Sequence, residues 1–520
     1  MWRLTVWRQA PPAPQSAATV TEPTTTAATT DVPLDVLIVG AGLSGIGAAR
    51  HLQRRCPGRR WAIVEARPTL GGTWDLFRYP GIRSDSDMYT LGYDFKPWRA
   101  AKAIADGPSI LQYIRETADE AGITPQIRFG HKVLRADWHS ADACWTVTLQ
   151  HTDATTGVAQ QTTQRARFLY LCSGYYSHAA GHRPRFDGEA DFRGRIVEPQ
   201  FWPADLQHAG QRVVVVGSGA TAVTLVPELA KTAAQVTMLQ RSPTYVVNRP
   251  SVDAIAQRLN RWLPAGLAYT LTRWKNVLVG RFYFGLARKR PAQVKQRLVA
   301  LAAAELGNSC DAQVHFNPRY NPWDQRVCVA PDGDMFQQIR AGRAAVVTDT
   351  ISRFTATGLQ LHSGQHLAAD IVVLATGLQL NVAGDIAITV DGRAVVPGQA
   401  LSYKGMMLGD VPNMAMAFGY TNASWTLKAD LTAGWVCRLL NHMQRHGQAI
   451  AVPRHDPTVP VQPFLSFTSG YVQRAAGLLP LQGVRAPWQV HQSYLADLLA
   501  IRFCRLDDGV LQLRRAGDPA

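Results

Sequence analysis

Two glycine-rich turns, Gly40-Ala41-Gly42-Leu43-Ser44-Gly45 and Gly217-Ser218-Gly219-Ala220-Thr221-Ala222, constrain this chain more than any other feature. Each follows an apolar run, Val36-Leu37-Ile38-Val39 or Val213-Val214-Val215-Val216, and each leads into an apolar helical pattern. Such runs, without alternation of polar and apolar residues, read as parallel strands buried on both faces. In that context the glycines have distinct jobs. The first permits the tight turn and the second lets the backbone approach a pyrophosphate. The third position, Gly45 or the small Ala222, lets helix pack on strand while the helix N-terminus faces the phosphates. The expected fold class is therefore α/β, with two Rossmann-like dinucleotide-binding domains.

The end of the second strand of each unit meets the adenosine ribose, and here the two units differ. Trp61-Ala62-Ile63-Val64-Glu65 places a carboxylate about 20 residues beyond Gly45, where it can accept from ribose hydroxyls, which suits FAD or NAD. Val236-Thr237-Met238-Leu239-Gln240-Arg241-Ser242 ends instead in a cation and a hydroxyl, suited to the 2′-phosphate of NADPH. The formal charge of +16 comes from dispersed arginines without a nucleic-acid motif, so no nucleic-acid partner is expected. Cys56, Cys144, Cys172, Cys310, Cys328, Cys437 and Cys504 lack CxxC spacing, which argues against a disulfide framework, a metal site or a redox dithiol and for a reducing, cytoplasmic setting.

Residues 1–33 are rich in Ala, Thr and Pro and are expected to be a disordered tail. A polar loop, Arg78-Tyr79-Pro80-Gly81-Ile82-Arg83-Ser84-Asp85-Ser86-Asp87, follows Gly71-Gly72-Thr73-Trp74 and should lie against a cofactor. Two later runs end in small residues, Phe168 to Gly174 and Ile371-Val372-Val373-Leu374-Ala375-Thr376-Gly377, and the second is read as the return of the chain to the first nucleotide domain. The expected division is an FAD domain of 34–180 and 372–520, an NADPH domain of 181–250 and 325–371, and a helical insertion of 251–324. In the insertion, Arg258, Arg261, Trp262, Trp274, Phe282, Tyr283, Arg288, Lys289 and Arg290 interleave. A solvated helix with one buried face is the preferred reading, and peripheral contact with an anionic membrane is the alternative.

Gly71-Gly72-Thr73-Trp74, the Arg78-Tyr79-Pro80-Gly81 loop, the two fingerprints and Ala375-Thr376-Gly377 resemble the class B flavoprotein monooxygenases. Within them the chain is similar to the Baeyer–Villiger type, most like the ethionamide-activating FAD-containing monooxygenases, in Tyr320-Asn321-Pro322-Trp323-Asp324-Gln325-Arg326 and Tyr420-Thr421-Asn422-Ala423-Ser424-Trp425-Thr426-Leu427-Lys428. The resemblance implies that NADPH reduces FAD and that a C4a-peroxyflavin then transfers one oxygen of dioxygen to a small lipophilic ketone, giving an ester or lactone, or to the sulfur of a thioamide or sulfide. It implies Arg326 as the catalytic cation and Asp85 as its positioning carboxylate. It also implies cofactor contacts from Gly72, Thr73, Trp74, Asp75, Asp85, Tyr89, Thr376, Gly377 and Trp425, beside Gly40, Gly42, Gly45 and Glu65 for FAD and Gly217, Gly219, Thr221, Ala222, Arg241 and Ser242 for NADPH. Lys428 is a further candidate.

The family's linker fingerprint ends here in Glu198-Pro199-Gln200-Phe201-Trp202-Pro203, with Glu198 where the family carries His. Glu198 paired with a nearby Arg leaves an active enzyme. Unpaired, it points to an uncoupled NADPH oxidase, and a nitrogen- or sulfur-oxygenating flavin monooxygenase is the other alternative.

Overall fold

The computed structural model of the chain describes residues 32–153, 156–465 and 467–518, so the expected tail lies outside the described residues apart from its last two positions. The chain enters through β1 (Val36–Val39), α1 (Leu43–Arg55) and β2 (Trp61–Glu65), with β1 and β2 parallel. A long loop then carries two single-turn helices, α2 (Thr73–Leu76) and α3 (Met88–Leu91). After β3 (Ile127–Phe129), the antiparallel strands β4 (His131–His139), β5 (Cys144–Thr152) and β6 (Ala159–Ala166) form a separate sheet, and β7 (Leu169–Leu171) returns beside β1.

The second unit begins with β8 (Arg195–Val197), β9 (Arg212–Val216), α4 (Ala220–Leu229) and β10 (Gln235–Gln240). β11 (Tyr245–Arg249) opens the helical insertion of α5 (Ala254–Trp262), α6 (Ala265–Lys289) and α7 (Pro291–Leu306), which β12 (Val327–Pro331) closes by pairing parallel with β11. β13 (Ala344–Thr348) and β14 (Ile371–Leu374) complete an all-parallel sheet in the order β13-β10-β9-β14-β8. β15 (Ala387–Val390) pairs with β4, and β16 (Met414–Met416) pairs with β7, giving the first sheet the order β16-β7-β1-β2-β3. α8 (Trp425–Arg445) and the short α9 (Gly470–Arg474) follow.

One expectation needs correction. The run ending Ala375-Thr376-Gly377 is not the return to the first domain: β14 is hydrogen-bonded to β9 and β8 in the second sheet, so the boundary at 372 cuts a strand of the NADPH unit. The return to the first sheet comes with β16. Both runs are fully buried and equally apolar, and nothing in their composition says which sheet they join.

α6 departs from the preferred reading of the insertion. Its inner face, Ala268, Tyr269, Thr272, Arg273 and Val277, is buried, and the Arg273 guanidinium donates to the carbonyls of Tyr89 at 2.8 Å and Gly92 at 2.7 Å. Its outer face is apolar where a solvated helix would be polar: Leu267, Leu271, Trp274, Leu278 and Phe282 recur at helical spacing and all are exposed.

Lys428 is 2% exposed, with Nζ 3.0 Å from an oxygen of Asp497, which also accepts from the Tyr420 hydroxyl at 2.7 Å. Both ionic groups of this cluster are consumed within it, so Lys428 holds α8 to the C-terminal segment and is not a site residue. Lys428→Met strands a buried carboxylate and is expected to lower unfolding free energy by about 3 kcal/mol. Lys428→Met/Asp497→Leu is expected to recover most of that loss, as measured by urea unfolding.

Candidate active site between two nucleotide cradles

The first turn is built as its sequence requires. Gly40 has φ +102°, and a Cβ there would lie 2.7 Å from the Cys172 carbonyl oxygen; a Cβ at Gly45 would lie 1.9 Å from the Gly40 oxygen. Gly42 caps α1 without any side-chain acceptor, so the first amides of the helix remain free for an anion. Gly72 comes up against it, 3.4 Å from where a Gly42 Cβ would be, and the Gly71 amide donates to the Ala41 carbonyl at 3.0 Å. This glycine-lined cradle, which side chains would fill, fits a dinucleotide pyrophosphate. Thr73 opens α2 at the surface of the cradle, and Trp74 is half-buried against the core.

Glu65 and Asp75 are both buried, and both hold the cradle's backbone. Glu65 accepts from the amides of Ala41 at 2.7 Å and Arg67 at 2.9 Å, while burial pushes its carboxyl above the usual range. Asp75 accepts from Thr69 Oγ1 at 2.6 Å, Arg67 at 2.5 Å and Arg78 at 3.0 Å. With its oxygens used in this way, Asp75 positions the Gly71–Trp74 loop. Tyr89 packs 5.8 Å from the ring of Tyr269 on α6, so its ring serves the joint with the insertion.

The second turn repeats the construction. Gly217 has φ +138°, with a would-be Cβ 2.3 Å from the Ala375 oxygen, whereas Gly219 faces open space and caps α4 without a side-chain acceptor. Ala222 is fully buried, and Ser218 Oγ donates to the Ser242 carbonyl at 3.1 Å. Arg241 and Ser242 are exposed at the end of β10. The Arg78–Asp87 loop spans the two units: Tyr79 faces Thr221, and Gly81 sits against Thr224 and Glu228 of α4. Thr376 Oγ1 donates to the His182 carbonyl at 2.5 Å and the Gly377 carbonyl accepts from the His182 amide at 3.0 Å, which ties the end of β14 to the linker.

Arg326 immediately precedes β12 and meets a ring of phenols. Its Nε is 3.4 Å from the Tyr471 hydroxyl and its Nη2 3.4 Å from that of Tyr175, which is 3.0 Å from the Tyr176 hydroxyl. Tyr175 stacks on Trp425 at 5.1 Å and 18°, and Trp425 Nε1 donates to Ser44 Oγ of the first fingerprint at 2.7 Å. The guanidinium is thus connected to the first cradle through two aromatic rings. Asp85 lies in the field of Arg326, though the two form no direct ion pair: burial raises the Asp85 carboxyl, and Arg326, then Arg83, pull it part of the way back. The phenols, Tyr471 first and then Tyr176, push the Arg326 guanidinium above the ordinary arginine value.

Sequence reasoning missed Tyr175, Tyr176 and Tyr471. The first two directly follow Ser173-Gly174, where the chain leaves a buried strand, and that position was a usable signal. Tyr471 lies on α9, which carries no motif. Glu198 pairs with Arg183 at 3.2 Å, and Arg183 also binds Glu189 at 2.9 Å, so one guanidinium serves both carboxylates.

A carboxyl raised by burial favours its protonated form in the native state, so its contribution to stability is most favourable below the unfolded value and falls as pH rises toward the native one. Asp85→Asn is therefore expected to be more stable than the wild type at pH 7 and to lose that advantage below about pH 4. Urea unfolding of the FAD-saturated protein across that range checks the crossover.

The flavin-binding monooxygenase-like family model matches residues 103–383, and an NAD(P)-binding Rossmann-like model matches 38–102. FAD-containing monooxygenase EthA of Mycobacterium tuberculosis is 52% identical over 488 residues, covering 94% of this chain and 99% of that protein. The probable FAD-binding monooxygenase AlmA of Acinetobacter baylyi is 47% identical, covering 93% and 97%. In fold, the chain is similar to an oxidized steroid monooxygenase bound to NADP, with TM-score 0.72 at 20% identity over 93% of this chain and all of the other. It is similar likewise to OTEMO in complex with FAD and NADP, with TM-score 0.65 at 21% identity over 81% and 87%. The chain belongs to the flavin-binding monooxygenase family.

Proposed function

We propose that this NADPH-dependent FAD monooxygenase inserts an oxygen atom into a small lipophilic ketone, giving an ester or lactone, and oxidises the sulfur of thioamides or sulfides at the same site. The observation that carries the reading is Arg326: a half-buried cation, solvated by phenols and linked by ring stacking to the first fingerprint. When bound, FAD reduced by NADPH would activate dioxygen, one atom of which goes to the substrate while the other leaves as water. Gly40, Gly42, Gly45 and Gly72 would hold FAD, with Glu65 fixing the turn and Trp425 walling the cradle. Gly217, Gly219, Thr221, Ala222, Arg241 and Ser242 would hold NADPH, with Thr376 and Gly377 where the end of β14 is tied to the linker. Arg326 stabilises negative charge as it develops on the transferred oxygen and on the oxygen of the carbonyl whose carbon is attacked. Asp85, without a direct ion pair, tunes the field at that guanidinium.

Because that charge develops only after flavin reduction, Arg326→Ala should leave FAD content and NADPH oxidation largely intact while cutting product formation by about two orders of magnitude or more. Mass-spectrometric product yield set against peroxide yield measures this. Product formed at the wild-type rate would remove Arg326 from the mechanism.

The outer face of the insertion favours delivery of lipophilic substrate from an anionic membrane surface. Trp262 is 85% exposed and Phe282 64%, and the exposed Arg258, Arg261, Lys289 and Arg290 lie on the same insertion. Apolar side chains framed by cations match a headgroup layer. Among the described residues no helix is long and apolar enough to cross a membrane, so contact would be at the surface. Sedimentation with phosphatidylglycerol-containing vesicles should drop about tenfold in Trp262→Ser/Phe282→Ser, with flavin content unchanged. Equal binding by wild type and variant would contradict the assignment.

A further inference from the structure

Arg474, the last residue of α9, projects toward the second fingerprint from a segment that no motif marks. The segment is anchored: the Thr468 amide and hydroxyl both donate to the Asp324 carbonyl at 3.0 Å, two residues before Arg326, and Tyr471 meets Arg326 itself. The Arg474 guanidinium lies against Gly377, whose would-be Cβ is 3.5 Å from Nη2, and against Gly470, whose would-be Cβ is 3.3 Å from Nη1. Gly377 follows β14, and β14 is the neighbour of β9 on the side away from β10. Arg241 ends β10. The turn Gly217–Gly219 therefore lies between the two arginines.

Neither guanidinium has an ion pair or hydrogen bond among the described residues, and Arg474 lies in the field of Arg241. Burial, and then the charge of Arg241, hold Arg474 below the ordinary arginine value. Two unpaired cations of this kind, beside a helix N-terminus with no side-chain cap, make a locus that only an anion relieves. Their positions divide the work. Arg241 stands where a dinucleotide's adenosine ribose meets the second strand of the unit, and Arg474 stands across the turn, on the side toward which the diphosphate runs.

We propose that Arg474 is a second phosphate-binding cation of the nicotinamide dinucleotide site, directed at the diphosphate, and that Arg241 reads the 2′-phosphate. Because Arg474 and Tyr471 share one short helix, the dinucleotide that engages Arg474 also holds Tyr471 against Arg326. The inference rests on NADPH binding at the second fingerprint.

The test is equilibrium titration of the FAD-loaded protein with NADP⁺ and with NAD⁺, read by flavin fluorescence or calorimetry. Arg474→Gln is expected to weaken both ligands by a comparable factor, about tenfold or more, and Arg474→Lys to recover part of that loss, since a point charge replaces the fork. Arg241→Gln is expected to weaken NADP⁺ alone. Unchanged NADP⁺ affinity in Arg474→Gln, at normal flavin content, would overturn the proposal. Loss confined to NADP⁺ would also overturn it, by moving Arg474 to the 2′-phosphate. A wild-type protein with no NADP⁺ affinity would instead overturn the reading of the second fingerprint on which it rests.

Discussion

A cation that must stay charged yet uncommitted at the junction of two nucleotide units is the constraint around which the active region is arranged. A carboxylate in direct contact would have made Arg326 easier to bury, but it would also have neutralised the charge that its proposed role in oxygen transfer needs. The structure uses phenols instead. Tyr175 and Tyr471 place oxygens 3.4 Å from the guanidinium, and Asp85 contributes field without an ion pair. Hydroxyl dipoles solvate a cation without cancelling it, and arginine, unlike lysine, does not lose its proton when half-buried.

That arrangement makes the aromatic residues part of the coupling between units. Ser44 holds Trp425, Trp425 stacks on Tyr175, and Tyr175 faces Arg326, so the first fingerprint and the cation share one rigid path. The Arg78–Asp87 loop provides a second path, touching α4 through Tyr79 and Gly81 and Arg326 through the field of Asp85. Glu198 and Glu189 share the Arg183 guanidinium in the linker, at the position where the resemblance implied an imidazole.

What the sequence made legible was local. Gly45 is small because its Cβ would strike the Gly40 oxygen, Gly217 because its Cβ would strike that of Ala375, and such backbone contacts announce themselves through residue type and spacing. The two parallel sheets were legible for the same reason, since unbroken valine and isoleucine runs have few other uses. Long-range pairing was not. Ile371–Leu374 and Met414–Met416 are both short, buried strands, and only the folded chain assigns each to its sheet. The phenol ring as a whole was illegible because Tyr471, on a segment without a motif, joins Tyr175 and Tyr176 at Arg326 only through tertiary structure. Lys428 read as a site residue by its motif, but its partner, Asp497, lies outside that motif.

Isotopic labelling tests the central claim, that the site transfers one oxygen atom to substrate, most directly. The purified FAD-loaded enzyme, given NADPH, ¹⁸O₂ and a panel of lipophilic ketones and thioamides, should yield an ester or S-oxide carrying one ¹⁸O atom per molecule. NADPH consumption matched by hydrogen peroxide, with no labelled product from any member of the panel, would contradict the account and leave an oxidase in its place.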